Sequence, residues 1–238
     1  MPALTSRSSG RNYSLITELS PKSPISEAYR ALRTNIQFSS IDEPVKVILV
    51  TSAQPEEGKS TTISNLAVTY AQEGKRVLIV DADLRKPTIH RYMSASNRLG
   101  LSNLLAGQFK VEDVAMDTRI PNLSLISSGT IPPNPSELLS SKRMVTLLAQ
   151  LKEEYDMVLI DSPPILAVTD SQILSGICDG VVMVINHGKV KREAARRAVS
   201  LLTYAKAKIL GVVLNNKDMS RNESSYYYYY ANKEQPTV

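Results

Sequence analysis

The sequence is short of several things, and each shortage removes a class of protein. It contains one cysteine, Cys178, in 238 residues. No internal disulfide framework can be built, and the usage fits a reducing cytoplasm. That lone thiol reads as a small buried hydrophobe rather than a nucleophile. No apolar run approaches the ~20 residues needed to cross a bilayer. Met1 to Arg11 is polar, without the apolar core of a secretory signal. Aromatics are not interleaved with basic residues as a nucleic-acid groove requires, so no nucleic-acid partner is expected. Internal repeats are absent, and the one low-complexity segment is a run of tyrosines near the end.

What is present is ordinary in bulk and specific in detail. Hydrophobic residues make up 42% and charged residues 21%, with a net charge of +5. That is the composition of a globular protein long enough for one large α/β domain. The basic stretch Lys189-Val-Lys-Arg-Glu-Ala-Ala-Arg-Arg197 follows a helical pattern and reads as a solvated face. Attraction to acidic lipid or nucleic acid is the sharper alternative.

Residues 1–22, rich in Ser, Pro and bases, read as a flexible N-terminal arm. Ser23-Pro-Ile-Ser26 opens a helix, with Ser26 as cap and Glu27 in its first turn. Short Val/Ile/Leu-rich runs at about 45–51, 76–81, 123–127, 156–161, 180–186 and 208–214 are expected to be strands buried on both faces. Helical patterns at about 58–73, 137–154, 170–177 and 190–206 separate most of them. The alternation predicts an α/β fold, a mostly parallel sheet with helices on both faces. The domain is expected over 23–214, followed by a flexible tyrosine-rich tail over 215–238.

The first strand runs into Thr51-Ser-Ala-Gln-Pro-Glu-Glu-Gly-Lys-Ser-Thr-Thr62. A strand, a loop and Gly58-Lys59-Ser60-Thr61 opening a helix form an arrangement that binds nucleotide phosphates. Glu57, Gly58, Lys59, Ser60 and Thr61 are the candidate nucleotide-binding set. Lys59 is placed to reach the β- and γ-phosphates, and the Ser60 hydroxyl to bind Mg²⁺. The usual pattern has a glycine where Ala53 stands, and Glu56 and Glu57 bring unexpected negative charge. Two later strands end in acids: Ile79-Val-Asp-Ala-Asp-Leu-Arg85 and Val158-Leu-Ile-Asp161. In a parallel sheet Asp81, Asp83 and Asp161 should gather on the phosphate-loop side. There they can hold Mg²⁺ or accept the proton of an attacking hydroxyl; an aspartate at a strand end can also simply cap the next turn. Arg85 is a candidate for stabilising the charge of the transferring phosphate, or an anchor for its own loop by a salt bridge.

These segments resemble the bacterial tyrosine kinases, cytoplasmic P-loop NTPase-like enzymes of polysaccharide assembly. The resemblance covers nearly everything from Lys22 to the tail. It rests on the phosphate loop, the two acidic strand ends, Pro132-Pro-Asn-Pro-Ser-Glu-Leu-Leu139, Asp161-Ser-Pro-Pro164 and the cluster Tyr226, Tyr227, Tyr228, Tyr229, Tyr230. It implies Mg-ATP as donor, with Mg²⁺ at Ser60, Asp83 and Asp161, and Asp81 as proton acceptor, though Asp81 and Asp83 could exchange roles. It further implies autophosphorylation of the five tyrosines and regulation of capsule or exopolysaccharide synthesis. Glu27, Arg30 and Arg33 match the family's E-x-x-R-x-x-R signature and imply a ring-shaped homo-oligomer; the local alternative is an i,i+3 ion pair on one helix. The expected form is cytoplasmic, recruited to the inner face of the membrane by a separate membrane-protein activator, with a tyrosine phosphatase as counterpart and other protein substrates possible. Two other readings compete. One is a switch ATPase of the Min or partition type, whose signature lysine is here Gln54. The other is a scaffold whose assembly nucleotide governs.

Overall fold

The computed structural model describes residues 13–39 and 44–217. In chain order the elements are α1 (Ile16–Leu19), α2 (Pro24–Phe38), β1 (Val47–Ser52), α3 (Lys59–Gln72), β2 (Val77–Asp81), α4 (Ile89–Tyr92), α5 (Leu101–Leu105) and α6 (Val111–Val114). There follow β3 (Met116–Asp117), β4 (Leu123–Ile126), α7 (Pro135–Leu139), α8 (Lys142–Glu154), β5 (Met157–Asp161), α9 (Asp170–Ser175), β6 (Gly180–Asn186), α10 (Arg192–Tyr204) and β7 (Ile209–Asn215).

The strands form one sheet in the order β3-β4-β2-β5-β1-β6-β7. Every pairing is parallel except β3 on β4, a two-residue antiparallel edge that the sequence pattern does not announce. β1, β2 and β5 are buried along their whole length, as continuous apolar runs in the middle of a parallel sheet must be. Side chains alternate between faces with period two. Val47, Leu49, Leu78, Val80, Val158 and Ile160 point into a core shared with α5, α6, α8, α9 and α10. Ile48, Val50, Val77, Ile79, Met157 and Leu159 point into a second core beneath α3, which also takes in Leu15 and Ile36. Helices cover both faces, so the expected architecture holds.

Three local expectations are corrected. Residues 13–22 do not run as a loose arm. Leu15 is fully buried, and Thr17 donates from its amide and its hydroxyl to Asn65 Oδ1 at 3.1 and 2.9 Å. Glu18 accepts from Arg119 at 2.7 Å. A short helix thereby docks on α3 through one apolar and one polar anchor, neither of which a Ser- and Pro-rich composition reveals. The cap of α2 is Ser23, not Ser26: its hydroxyl accepts from Ser26 N at 3.1 Å, and Pro24 occupies the first helical position. Ser26 is instead buried and donates to Ser20 O at 2.8 Å. The helix expected over 137–154 is two, broken at Ser140 and restarted by the Ser141 cap, which accepts from Met144 N at 3.3 Å.

Candidate nucleotide and phosphotransfer site

The loop between β1 and α3 turns on Gly58, whose φ of 90° belongs to the left-handed region open to glycine. A Cβ there would fall 2.0 Å from Asn215 Nδ2, so space as well as backbone angle excludes a side chain. No side chain caps α3 and no acid lies in its first turn. Its opening N–H groups therefore remain available to an anion.

The two glutamates behave differently from the expectation. Glu57 is buried and turned beneath the loop: its carboxylate accepts from Gln54 N and from Asn186 N, the latter at 3.1 Å. Burial raises its pKa above the ordinary value, and the amide bonds offset only part of the rise. Its carbonyl accepts from Asn215 Nδ2 at 2.9 Å. Glu57 thus supports the loop with its side chain instead of repelling phosphate. Glu56 takes a positive φ of 64° and its carbonyl accepts from Asn186 Nδ2 at 3.4 Å.

Strand register brings the acids together. Asp81 on β2 is the register partner of Asp161 on β5, and Val50 on β1 is the partner of Asp161 on its other side. All three strand ends point toward the phosphate loop. Ser60 Oγ donates to Asp161 Oδ2 at 2.7 Å, while Asp161 Oδ1 is buried with no hydrogen-bond partner. Lys59 Nζ lies 3.5 Å from Asp83 Oδ2. Burial pulls the Lys59 pKa down, yet the charges of Asp161, Asp83 and Asp81 leave it above the ordinary value. Asp81 is fully buried; its Oδ2 accepts from Thr88 N and Ile89 N at 3.1 Å each, at the start of α4. It therefore also performs the capping role open to a strand-end aspartate. Burial and the neighbouring Asp161 carboxylate push its pKa strongly upward.

Arg85 is engaged in the fold. Its Nε and Nη2 donate to the two oxygens of the buried Asp170 at 2.8 and 3.0 Å, and Nη2 also reaches Ser136 Oγ at 3.0 Å. Here it ties the loop after β2 to α7 and α9, the anchoring alternative. Glu27 and Arg30 form the local i,i+3 ion pair, and Arg30 also donates to Pro21 O at 2.7 Å. Arg33 points inward, donating to Thr69 O at 2.7 Å and lying 3.6 Å from Glu73. Tyr226 to Tyr230 lie outside the described residues.

A family profile described as the AAA domain matches residues 45–209. Tyrosine-protein kinase YwqD of Bacillus subtilis is 48% identical over 212 residues, 89% of each chain. The chain belongs to the bacterial tyrosine-protein kinases. Two solved structures agree. The chimerical protein CapA2B2 superposes with a TM-score of 0.83 at 43% identity, over 86% of this chain and 90% of that one. The kinase domain of the Escherichia coli tyrosine kinase ETK gives 0.84 at 32%, over 91% and 85%. The chain is accordingly a tyrosine-protein kinase with a nucleotide-binding fold.

Sequence reasoning missed several residues that shape this kinase site. Asn186 and Asn215 end β6 and β7 and clamp the phosphate loop from the far side. Thr61 shares a hydrogen bond of 2.8 Å with the Tyr92 hydroxyl. The signal for the asparagines was present, since each is a polar residue closing an apolar strand at the ligand-binding end of a parallel sheet.

Proposed function

We propose that the kinase transfers the γ-phosphoryl of ATP to tyrosines of its own C-terminal segment, Tyr226 to Tyr230. The observation that carries the reading is the convergence of Lys59, Ser60, Asp81, Asp83 and Asp161 at three adjacent strand ends. The N–H groups at the start of α3 hold the phosphates, and Lys59 supplies a point charge to the β/γ oxygens. The tyrosine oxygen attacks the γ-phosphorus, the bond to the β–γ bridging oxygen breaks, and its electron pair leaves with ADP. The tyrosine proton goes to Asp81 in its carboxylate form, which Lys59 and the amides of Thr88 and Ile89 favour, and burial raises its affinity for the incoming proton.

Ser60, Asp83 and Asp161 are the residues that would hold Mg²⁺. The fit rests on oxygen donors alone and on the buried, unpartnered Asp161 Oδ1. When bound, the ion would neutralise charge on the β- and γ-phosphates.

Asn215 touches the phosphate loop, so the described chain ends on the active-site side of the sheet. From Lys217 to Tyr226 an extended chain spans about 30 Å, enough for its own site or a neighbour's. The family resemblance favours the neighbour within a homo-oligomer. It also supports a membrane-protein activator, a phosphatase counterpart and a role in capsule or exopolysaccharide production. No helix among the described residues is long and apolar enough to cross a membrane.

The test uses purified full chain with ATP and Mg²⁺, alone and with candidate activators, and anti-phosphotyrosine detection. Lys59→Met should lose phosphotransfer by orders of magnitude while its circular dichroism stays unchanged. A folded Lys59→Met protein that labels its tail at the parent rate would reject the assignment. Mixing it with a protein carrying phenylalanine at 226–230 separates transfer between subunits, which labels the Lys59→Met tail, from transfer within one.

A further inference from the structure

From Lys189 to Lys208 the chain carries seven lysines and arginines against a single acid, Glu193. All seven bases are exposed. This is an excess of +6 on one loop, helix and strand approach, larger than the net +5 of the whole chain. By contrast, α8 mixes Lys142 and Arg143 with Glu153 and Glu154. Helix stability does not explain the pattern. Lys191 is the N-cap of α10 without a side-chain cap bond, and Arg192 opens the helix. Both stand at the positive end of the helix dipole, where bases are unfavourable and acids are preferred.

The same surface adjoins the place where the described chain ends. His187 N, in the loop leading to α10, donates to Asn215 O at 2.8 Å. Asn216 Nδ2 donates to Asn186 Oδ1 at 3.3 Å. The root of the C-terminal segment is thus bonded to the loop that bears Lys189 and Lys191. The thirteen residues of α10 rise about 20 Å. An extended chain from Lys217 reaches Tyr226 over about 30 Å, so the tyrosines can lie anywhere along that face.

We propose that the phosphorylated Tyr226–Tyr230 segment docks in cis on Lys189, Lys191, Arg192, Arg196 and Arg197. The inference rests on the reading that these tyrosines are the kinase's own substrate. Five phosphates bring about −8 to −10 charges to a segment tethered beside a complementary surface. Exposed charges are screened beyond ~8 Å at physiological salt, so close docking is required, and the short tether supplies it at high effective concentration. An acidic lipid surface would recognise the same bases, but it lacks the tether. Docking in cis removes the modified tail from neighbouring active sites and retains it beside its own phosphate loop. It converts phosphorylation into release of the assembly.

The experiment uses the full chain with Tyr226→Phe, Tyr227→Phe, Tyr228→Phe, Tyr229→Phe and Tyr230→Phe, so that its own tail stays unmodified. The probe is a synthetic peptide of residues 218–238 phosphorylated on all five tyrosines, beside its unmodified twin. The phosphopeptide should bind, the twin should not, and added salt should weaken the complex. Lys189→Glu, Lys191→Glu and Arg192→Glu together should weaken binding at least tenfold. Lys110→Glu with Lys142→Glu, at the starts of α6 and α8 and outside the proposed surface, should leave it unchanged. The corresponding alanine triple at 189, 191 and 192 makes the same comparison with less perturbation of the helix. Equal affinity for the parent and the triple variants, or no binding of phosphopeptide, overturns the proposal. So does binding to phosphatidylserine vesicles that the triple variants lose while peptide affinity is unchanged; the face would then be a membrane surface. Because the peptide is phosphorylated chemically, failure of the autophosphorylation reading would not alter this binding result. An active kinase that ignores the peptide would defeat only this inference.

Discussion

Asp81 carries two duties that pull its protonation in opposite directions. As acceptor of two amide bonds at the start of α4 it favours the carboxylate, whereas full burial and Asp161 favour the acid, and the net effect is a raised proton affinity. The folded protein therefore keeps a proton that the unfolded chain gives up above the ordinary value of 3.8. Linkage fixes the sign: Asp81's contribution is fully present below that value and is lost as pH rises toward the higher folded value. Asp81→Asn should flatten this part of the pH dependence, so that the variant gains stability relative to the parent as pH increases. Denaturant midpoints from pH 4 to pH 9 would check it, and parallel curves for the two proteins would contradict the assignment. Turnover should fall by orders of magnitude in the same variant. Arg85 offers a second contrast. Its partner Asp170 is buried, so Arg85→Ala strands a carboxylate that keeps only Ser136 as a donor. We expect a loss of ~1–3 kcal/mol in stability and only a few-fold change in phosphotransfer per folded molecule. A large fall in turnover with an unchanged melting temperature would restore Arg85 to the phosphate.

At the scale of elements, α2 shows how local chemistry sets a boundary. Ser23, with extended backbone, caps an amide that the helix itself cannot satisfy, and Pro24 occupies a position where no N–H is needed. Ser23→Ala should cost about 1 kcal/mol, read as a shift in denaturant midpoint. Ser26→Ala tests a different bond, because Ser26 holds α1 against α2 through the carbonyls of Ile16 and Ser20. Limited proteolysis of residues 13–22 should accelerate in that variant. These assignments explain why composition misled over residues 13–22. A four-residue helix needs no periodicity to form once Leu15 and Thr17 have a surface to dock on.

Across the whole molecule, the basic and acidic groups of α2 divide between two tasks. Arg33 braces α2 against the end of α3, whereas Glu27 and Arg30 remain near the surface. Glu27→Ala with Arg30→Ala should weaken self-association and leave thermal stability nearly unchanged. Arg33→Ala should lower stability as well, since the Thr69 carbonyl loses the Arg33 donor and Glu73 keeps only its contacts to Gln37 and Lys75 among the described residues. Light scattering paired with calorimetry distinguishes them. Identical losses of assembly and of melting temperature in both variants would mean that the signature acts through the fold alone.

The sequence by itself determined the sheet and the chemistry at its edge. Buried parallel strands need uninterrupted Val, Ile and Leu, so β1, β2, β5 and β6 were legible within a residue or two of their ends. A phosphate loop must follow a strand and open a helix, which located Lys59 and Ser60 without coordinates. The tertiary structure decided what depends on partners distant in sequence. Glu57 looked like a charge facing phosphate until Asn186, 129 residues away, claimed its carboxylate. Arg85 was open to phosphate or to anchoring until its Nε and Nη2 turned out to grip both oxygens of Asp170. Arg33 shared a helical face with Arg30 by spacing alone, yet the packing of α3 turned it inward. Periodicity reports which residues share a face, because that is set by the backbone repeat. Which polar partner a long charged side chain selects is set by the whole fold, because burial makes every unsatisfied group costly and rewards whichever donor or acceptor the packing brings within reach.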